Sequence, residues 1–236
     1  MQIPAVPHPF PRSGVLLPET TVIFSIDMQL DFCAVDGYMH RLGWDVQRLR
    51  APIEPLRQVL AAARGHGVRV VHTREGYRPD LADVQPWKRW PRDNERVRIG
   101  DPGPLGRALI RGEPGWDIVP ELRPLPGEHV FDKPGFGVFA FTDADAVLRG
   151  WSIQNVVLTG VTTDCCVHSV LREALDRGYD CLVLEDCVGG PRPESHEAAM
   201  SLVRKAGGVY GAAATSRAFI DALAQAARPG AAGVAR

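Results

Sequence analysis

A chain of 236 residues with 45% hydrophobic content carries enough apolar side chain for a full core, one that withdraws about 70–75% of the unfolded surface from water. Its 27 basic and 28 acidic residues leave a net charge of −1, which gives no electrostatic grip on nucleic acid or other polyanions. No apolar run approaches the roughly 18 residues of a membrane helix, and the proline-broken opening MQIPAVPHPFPRSG reads as an arm, not a signal peptide. The five cysteines are odd in number and sit inside apolar segments, so they read as reduced thiols of a cytoplasmic protein and not as a disulfide framework.

The first periodic element is TVIFSID (21–27), where Val22, Ile23, Phe24 and Ile26 form the short apolar run of a buried parallel strand ending in Asp27. In RAPIEPLRQVLAAARGHG (50–67), Ile53, Leu56, Val59, Leu60 and Ala63 recur at three- and four-residue steps, and Gly65 and Gly67 close a helix. VRVVHTR (68–74) is a second strand. Residues 75–127 are the least regular part, and so long a loop in a compact fold has a functional or interfacial reason. Trp87, Trp90 and Trp116 there suit a subunit contact.

HVFDKPG (129–135) is a short strand ending at Lys133, and Asp143–Gly150 is a short helix with Ala144, Val147 and Leu148 on one side. NVVLTGV (155–161) is a strand, and CVHSVLREALDRGY (166–179) is a helix with Val167, Val170, Leu171, Ala174 and Leu175 on one stripe. DCLVLED (180–186) is a strand, HEAAMSLVRKAGG (196–208) a helix with a glycine stop, and AQAARPGAAGVAR a fraying tail. Strands alternating with helices, without repeats or a change of composition, predict one α/β domain over 1–236. It is a three-layer αβα architecture with a mostly parallel, doubly wound sheet: core about 20–225, N-terminal arm 1–19, tail 226–236.

In such sheets ligands gather at the carboxyl ends of the strands, where Asp27, Lys133 and Cys166 stand. Amides at a helix start are unpaired and partly positive, so a cysteine in GVTTDCCVH (160–168) gains a favoured thiolate and a lowered pKa. Asp164 is placed to cap that helix, which puts Cys165 and Cys166 in its first turn, about 100° apart and unable to share one cleft. Each residue also has a plain reading. Free cysteines are most often small buried hydrophobes, strand-end aspartates are often turn formers, and Asp31 competes with Asp27. Together the three suggest a nucleophile, a proton-handling carboxylate and a cation that steadies developing charge.

SIDMQLDF, DKPGFGVF and LTGVTTDCCVHSVLREALDRGY resemble, in order, the three sequence blocks of the isochorismatase-like cysteine hydrolases, a likeness that covers roughly residues 20–225. RAPIEPLRQVLAAARGHGVRVVHTREGYRPDLAD, GDPGPLGRALIRGEPGWDIVPEL and LEDCVGG look like the biuret-hydrolase branch, which cleaves linear ureides; ureidoacrylate and N-carbamoyl amidases are nearby relatives. The resemblance implies an Asp27–Lys133–Cys166 triad, with Cys166 the nucleophile and Cys165 in a variable position packing away from the cleft. It implies a cis peptide at Val161–Thr162, with the Thr162 and Cys166 amides facing an oxyanion, and a homo-oligomer, commonly a tetramer. No cofactor is implied. Nicotinamidases of this superfamily hold a metal through an Asp-x-His…His pattern that HTREGYRPD lacks, so no metal is expected and His72 reads as a packing histidine.

Two departures bear on substrate. Phe136 stands where biuret hydrolases resemble a second lysine, and Ala206 where they place a glutamine. Losing a cation and an amide changes which molecule a hydrogen-bonding site accepts, and the expectation is a longer or less polar small-molecule ureide, triuret ahead of biuret. Phe32, Phe136 and Phe139 are candidate aromatic walls for a flat substrate. The alternative is a ureidoacrylate or N-carbamoyl amide hydrolase. Two further readings fit the residues less well: a vinyl-ether hydrolase of the isochorismatase type has no need of Cys166, and a thiol redox protein would show Cys-x-x-Cys.

Overall fold

The computed structural model describes residues 2–89 and 96–226. Trp90 and most of the tail fall outside the described residues.

Thr21–Ile26 (β1), Arg69–Glu75 (β2), His129–Lys133 (β3), Asn155–Val161 (β4), Asp180–Gly189 (β5) and Ala212–Ala214 (β6) form a six-stranded parallel sheet in the order β3-β2-β1-β4-β5-β6. Among the described residues five longer helices flank it: Ile53–Gly65 (α1), Ala144–Gly150 (α2), His168–Asp176 (α3), Pro193–Lys205 (α4) and Ser216–Ala226 (α5). Successive strand side chains point to opposite faces, so the strands feed two cores. Ile23, Val157, Leu182 and Leu184 join Leu56 and Leu60 of α1 and Phe219 of α5 on one face. Val22, Phe24, Val156, Leu158 and Val183 join Leu148 of α2, Leu171 of α3 and Val203 of α4 on the other. This is the doubly wound αβα sandwich that the alternating pattern predicts. Full burial of each such aliphatic side chain is worth about 1.5–3 kcal/mol, well above the differences in helix propensity among ordinary residues.

The N-terminal arm is part of the first core, with Ile3 and Phe10 fully buried. Val6 and Ala213 exchange both backbone bonds, at 2.9 and 2.8 Å, so the arm closes the edge that β6 would otherwise expose. Neither β6 nor α5 is in the sequence reading. Three consecutive alanines carry no β-branched or aromatic signal, and β6 takes its place from pairing with β5 and the arm.

The strand order reverses between β1 and β4. The chain leaves β1 toward one edge and β4 toward the other, so the connections after these two strands diverge and leave a crevice at their carboxyl ends. Asp27 follows β1 directly, and Thr163–Val167 follows β4. The long segment after β2 is tied over this crevice by buried residues, Tyr77, Leu109, Ile110 and Val119 among them. No helix among the described residues is long and apolar enough to cross a membrane.

Candidate active site

Asp27 turns the chain out of β1 with a positive φ of +50°, a conformation that non-glycine residues seldom adopt. Its amide still bonds to the Thr73 carbonyl on β2 at 3.1 Å, and the Thr73 hydroxyl donates to Oδ1 at 2.5 Å. Lys133 ends β3, two strand spacings or roughly 10 Å from β1, a gap that only a long side chain crosses. Its Nζ donates to Asp27 Oδ2 at 2.6 Å and to the Gly135 carbonyl at 2.9 Å. Burial raises the Asp27 carboxyl above its usual range in spite of the Lys133 charge. Burial pulls the Lys133 amine down, but Asp27, Cys166 and Glu75 around it pull harder the other way, and it keeps its proton.

Thr163–Val167 form a single π-helical turn ahead of α3. The Thr162 carbonyl accepts from the amides of Cys165 and Val167, both at 3.1 Å, and passes over that of Cys166. Such wide turns recur at functional sites. The turn corrects three expectations built on an ordinary α-helical start. Thr162, not Asp164, is the cap residue, and no side chain caps the turn. Cys165 does not pack away: both cysteines border the same cavity. Nor is the Cys166 thiol lowered. Contact with the Cys165 thiol and burial hold it well above the ordinary thiol value, with Lys133 pulling the other way. The Cys166 proton therefore has to be taken by a base.

The cavity beside Cys166 measures about 230 Å³. Phe32, Phe136, Glu75, Lys88, Thr162 and Arg192 are on its wall. Glu75, the last residue of β2, is absent from the sequence reading, which ended that strand one residue earlier. The strand-end rule that singles out Asp27 and Lys133 applies to it equally. The Cys166 thiol donates to Glu75 Oε2 at 3.6 Å. Glu75 Oε1 accepts from Tyr77 Oη at 2.8 Å and Lys88 Nζ at 3.0 Å, and Lys88 also meets Tyr77 Oη. Gln29 clamps the Glu75 backbone, accepting from its amide at 2.7 Å and donating to its carbonyl at 2.9 Å. Burial would raise the Glu75 carboxyl, but Lys88 and Lys133 outweigh it and hold the group low.

Phe32 and Phe136 border the cavity. Phe139 does not: its ring lies 6.3 Å from Phe24 and 6.0 Å from Tyr179 in the second core. Ala206 does not either. It follows the C-terminus of the 13-residue α4, whose N-cap, Arg192, borders the cavity, and so lies about 20 Å from that end. Phe136 faces a cation in place of being one, with Lys88 Nζ 4.1 Å from its ring centre. Asp31 is a tether, accepting from the amides of Tyr38 at 3.1 Å and Leu109 at 2.8 Å. His72 is buried in the sheet against Glu128, at 3.0 Å. Trp87 stacks edgewise on Phe136 at 5.9 Å, and the Arg74 guanidinium lies 3.6 Å over the Trp116 ring. The Val161–Thr162 peptide is cis.

Asp27, Glu75 and Cys166 present ligand-type atoms all within 4.8 Å of one another, close enough to hold a metal ion. Each carboxylate already has an ammonium against it, Lys133 at 2.6 Å and Lys88 at 3.0 Å. Two negative charges are thus matched by two positive ones, and a divalent cation would be repelled by both lysines at close range. The arrangement suits proton transfer to and from sulfur better than metal ligation.

Residues 21–215 match the model of a protein family described as the isochorismatase domain. The chain is 31% identical over 231 residues to the ureidoacrylate amidohydrolase RutB of Agrobacterium fabrum, covering 96% of this chain and 98% of that protein. It is 34% identical over 203 residues to a ureidoacrylate amidohydrolase RutB of Methylorubrum extorquens, with 84% and 80% covered. Its fold matches the crystal structure of a cysteine hydrolase from Pseudomonas syringae pv. phaseolicola with a TM-score of 0.76 over 96% of this chain and all of that one, at 21% identity.

Proposed function

Because this chain belongs to the isochorismatase family, we propose that it is a cysteine amidohydrolase that cleaves the terminal C–N bond of a ureide, with Asp27, Lys133 and Cys166 as its catalytic residues. One observation carries the reading: the Cys166 sulfur lies within 4.8 Å of an oxygen of the Asp27 carboxylate, a group that a buried lysine holds in place. Asp27 takes the thiol proton, and its raised proton affinity suits it for this better than Glu75, which two ammonium groups hold low. The sulfur attacks the carbonyl carbon, and the Thr162 and Cys166 amides receive the oxyanion. Asp27 returns its proton to the leaving nitrogen, ammonia departs, and water, deprotonated by the same carboxylate, hydrolyses the S-carbamoyl intermediate, the proton then returning to the Cys166 sulfur.

For the substrate, the two premises that favoured triuret do not hold. The cation missing at Phe136 is supplied by Lys88, and Ala206 is far from the cavity. Arg192 stands at the cavity mouth stacked on Trp44 at 5.0 Å, with no ion pair among the described residues, and is placed to receive a carboxylate. Together with the names of the relatives, this favours a ureide that ends in a carboxylate, of the ureidoacrylate type. Ammonia release measured across ureidoacrylate, carbamoylsarcosine, biuret, triuret and nicotinamide tests it. The expected result is a kcat/KM for ureidoacrylate at least tenfold above those for biuret and triuret; the reverse order overturns the substrate reading, and Cys166→Ala with more than a few percent of activity overturns the nucleophile.

A further inference from the structure

The thiol of Cys166 lies between two carboxylate–ammonium pairs, not one. Asp27–Lys133 is fully buried and does not border the cavity, whereas Glu75–Lys88, at 6% and 3% side-chain exposure, does. Glu75 Oε1 is occupied by Lys88 and Tyr77, and Gln29 fixes the backbone on both sides. Oε2 therefore has one orientation, and among the described residues its one donor is the Cys166 thiol at 3.6 Å. When that proton leaves, Oε2 becomes an acceptor with no donor among the described residues, facing the point of attack.

A carbonyl carbon under attack sits about 3–3.5 Å from sulfur, and a nitrogen bonded to it lies about 1.33 Å further. A ureide carbonyl carries two such nitrogens, and a plain carboxamide one. Only a group as small as a terminal NH2 can go toward Asp27, which lies behind the cavity wall. The substituted nitrogen, with the rest of the substrate, must then point toward the cavity and Glu75.

We propose that Glu75 is a specificity-determining residue that accepts the hydrogen bond of the retained ureide N–H and so distinguishes ureides from carboxamides. The proposal rests on the ureide reading above. Lys88 acts through it, holding Oε1 and the charge in a setting of Tyr77, Trp87 and Phe136, whose ring centres lie 5.1, 5.5 and 4.1 Å from Nζ. Replacing Glu75 by Gln turns this acceptor into a donor. Lys88 and Tyr77 would hold the amide oxygen on their side, leaving NH2 to meet the substrate N–H.

The test uses pairs that differ by CH2 for that N–H: biuret with malonamide, and 3-ureidopropionate with glutaramate. Binding of each to Cys166→Ala, with and without Glu75→Gln, is measured by calorimetry beside ureide turnover by the unmodified enzyme. The ureide-to-isostere preference should fall at least tenfold on adding Glu75→Gln, a change that a merely structural role would not produce. Glu75→Gln/Lys88→Met, in which no ammonium is stranded, should show the same loss if the single variant folds poorly. A preference unchanged in both overturns the role of Glu75 while ureide turnover still stands. No ureide turnover by the unmodified enzyme overturns both readings.

Discussion

Asp27 Oδ2 and Lys133 Nζ meet at 2.6 Å, 106 residues apart in the chain, with no solvent exposure on either side chain. Breaking a buried pair from one side leaves an uncompensated charge and costs about 3–5 kcal/mol, whereas replacing both members costs far less. Asp27→Asn and Lys133→Met should each lower stability by that order in urea unfolding. Asp27→Asn/Lys133→Met should lose less than either alone, and all three should be inactive. A double variant as unstable as the sum of the singles would mean that the two groups do not act as a pair.

The Asp27 carboxyl is raised by burial, and the Cys166 thiol is raised by the Cys165 contact and burial. In the proposed mechanism deprotonated Asp27 is the active form, so kcat/KM should fall with acidification through a pKa above the ordinary aspartate value of 3.8, and not through a lowered thiol pKa. Iodoacetamide should modify Cys166 slowly at neutral pH and faster only above the free-thiol range. Rapid alkylation at neutral pH would show a preformed thiolate and remove the need for a base.

Cys165 gives a sharper version of the same test. Its contact is the largest influence that raises Cys166, and it borders the cavity without a place in the proposed chemistry. Cys165→Ala should bring the Cys166 pKa down, speed its alkylation at a given pH, and leave turnover within a few-fold of the parent. An unchanged alkylation profile would mean that burial alone sets the thiol.

Gly160 fixes how closely β1 and β4 approach where they deliver Asp27 and Cys166. Its φ is +106°, and a Cβ there would overlap the Ile26 carbonyl and amide. Gly160→Ala should therefore destabilise by about 1–3 kcal/mol or more and push the two strands apart at the site. Activity per folded molecule, with folding followed by circular dichroism, should fall at least tenfold.

What can be read from the sequence follows from where each signal resides. Asp27 follows an apolar strand and Lys133 ends a short one, so topology alone brings them to one end of the sheet, and periodicity locates α1 and α3 to within a few residues. The π turn has no signature in TTDCC, which is why neither the facing of Cys165 nor the lack of a cap from Asp164 is legible there. Glu75 escapes a reading that closes the strand at Arg74, and Lys88 escapes because its aromatic setting is assembled from the β2 end, the long loop and Phe136. Phe139 and Ala206 fail as site residues because an aromatic ring or a small residue near a motif is as readily core or helix end, and only packing decides which.

Glu128 gives a prediction that is independent of the chemistry. Its carboxylate accepts from Arg64 at 2.7 and 2.9 Å, from the buried His72 at 3.0 Å and from the Leu125 amide at 2.8 Å. Burial would raise this carboxyl, yet the His72 and Arg64 contacts and the Leu125 amide bring it down from 4.5 to about 2. The folded-state pKa is depressed, so the contribution is fully present above the unfolded value of 4.5 and is lost as pH falls through about 2. Unscreened, the depression corresponds to roughly 3 kcal/mol, and solvent at this partly exposed site reduces it to about 1–2 kcal/mol. Urea unfolding should find Glu128→Gln less stable than the parent by about that reduced amount at neutral pH, with the gap closing on acidification as the parent's Glu128 takes up its proton. His72 and Glu128 do not border the cavity, so turnover per folded molecule should be unchanged. A stability gap that stays constant down to about pH 2 would show that the contribution comes from shape and neutral hydrogen bonds and not from the carboxylate charge.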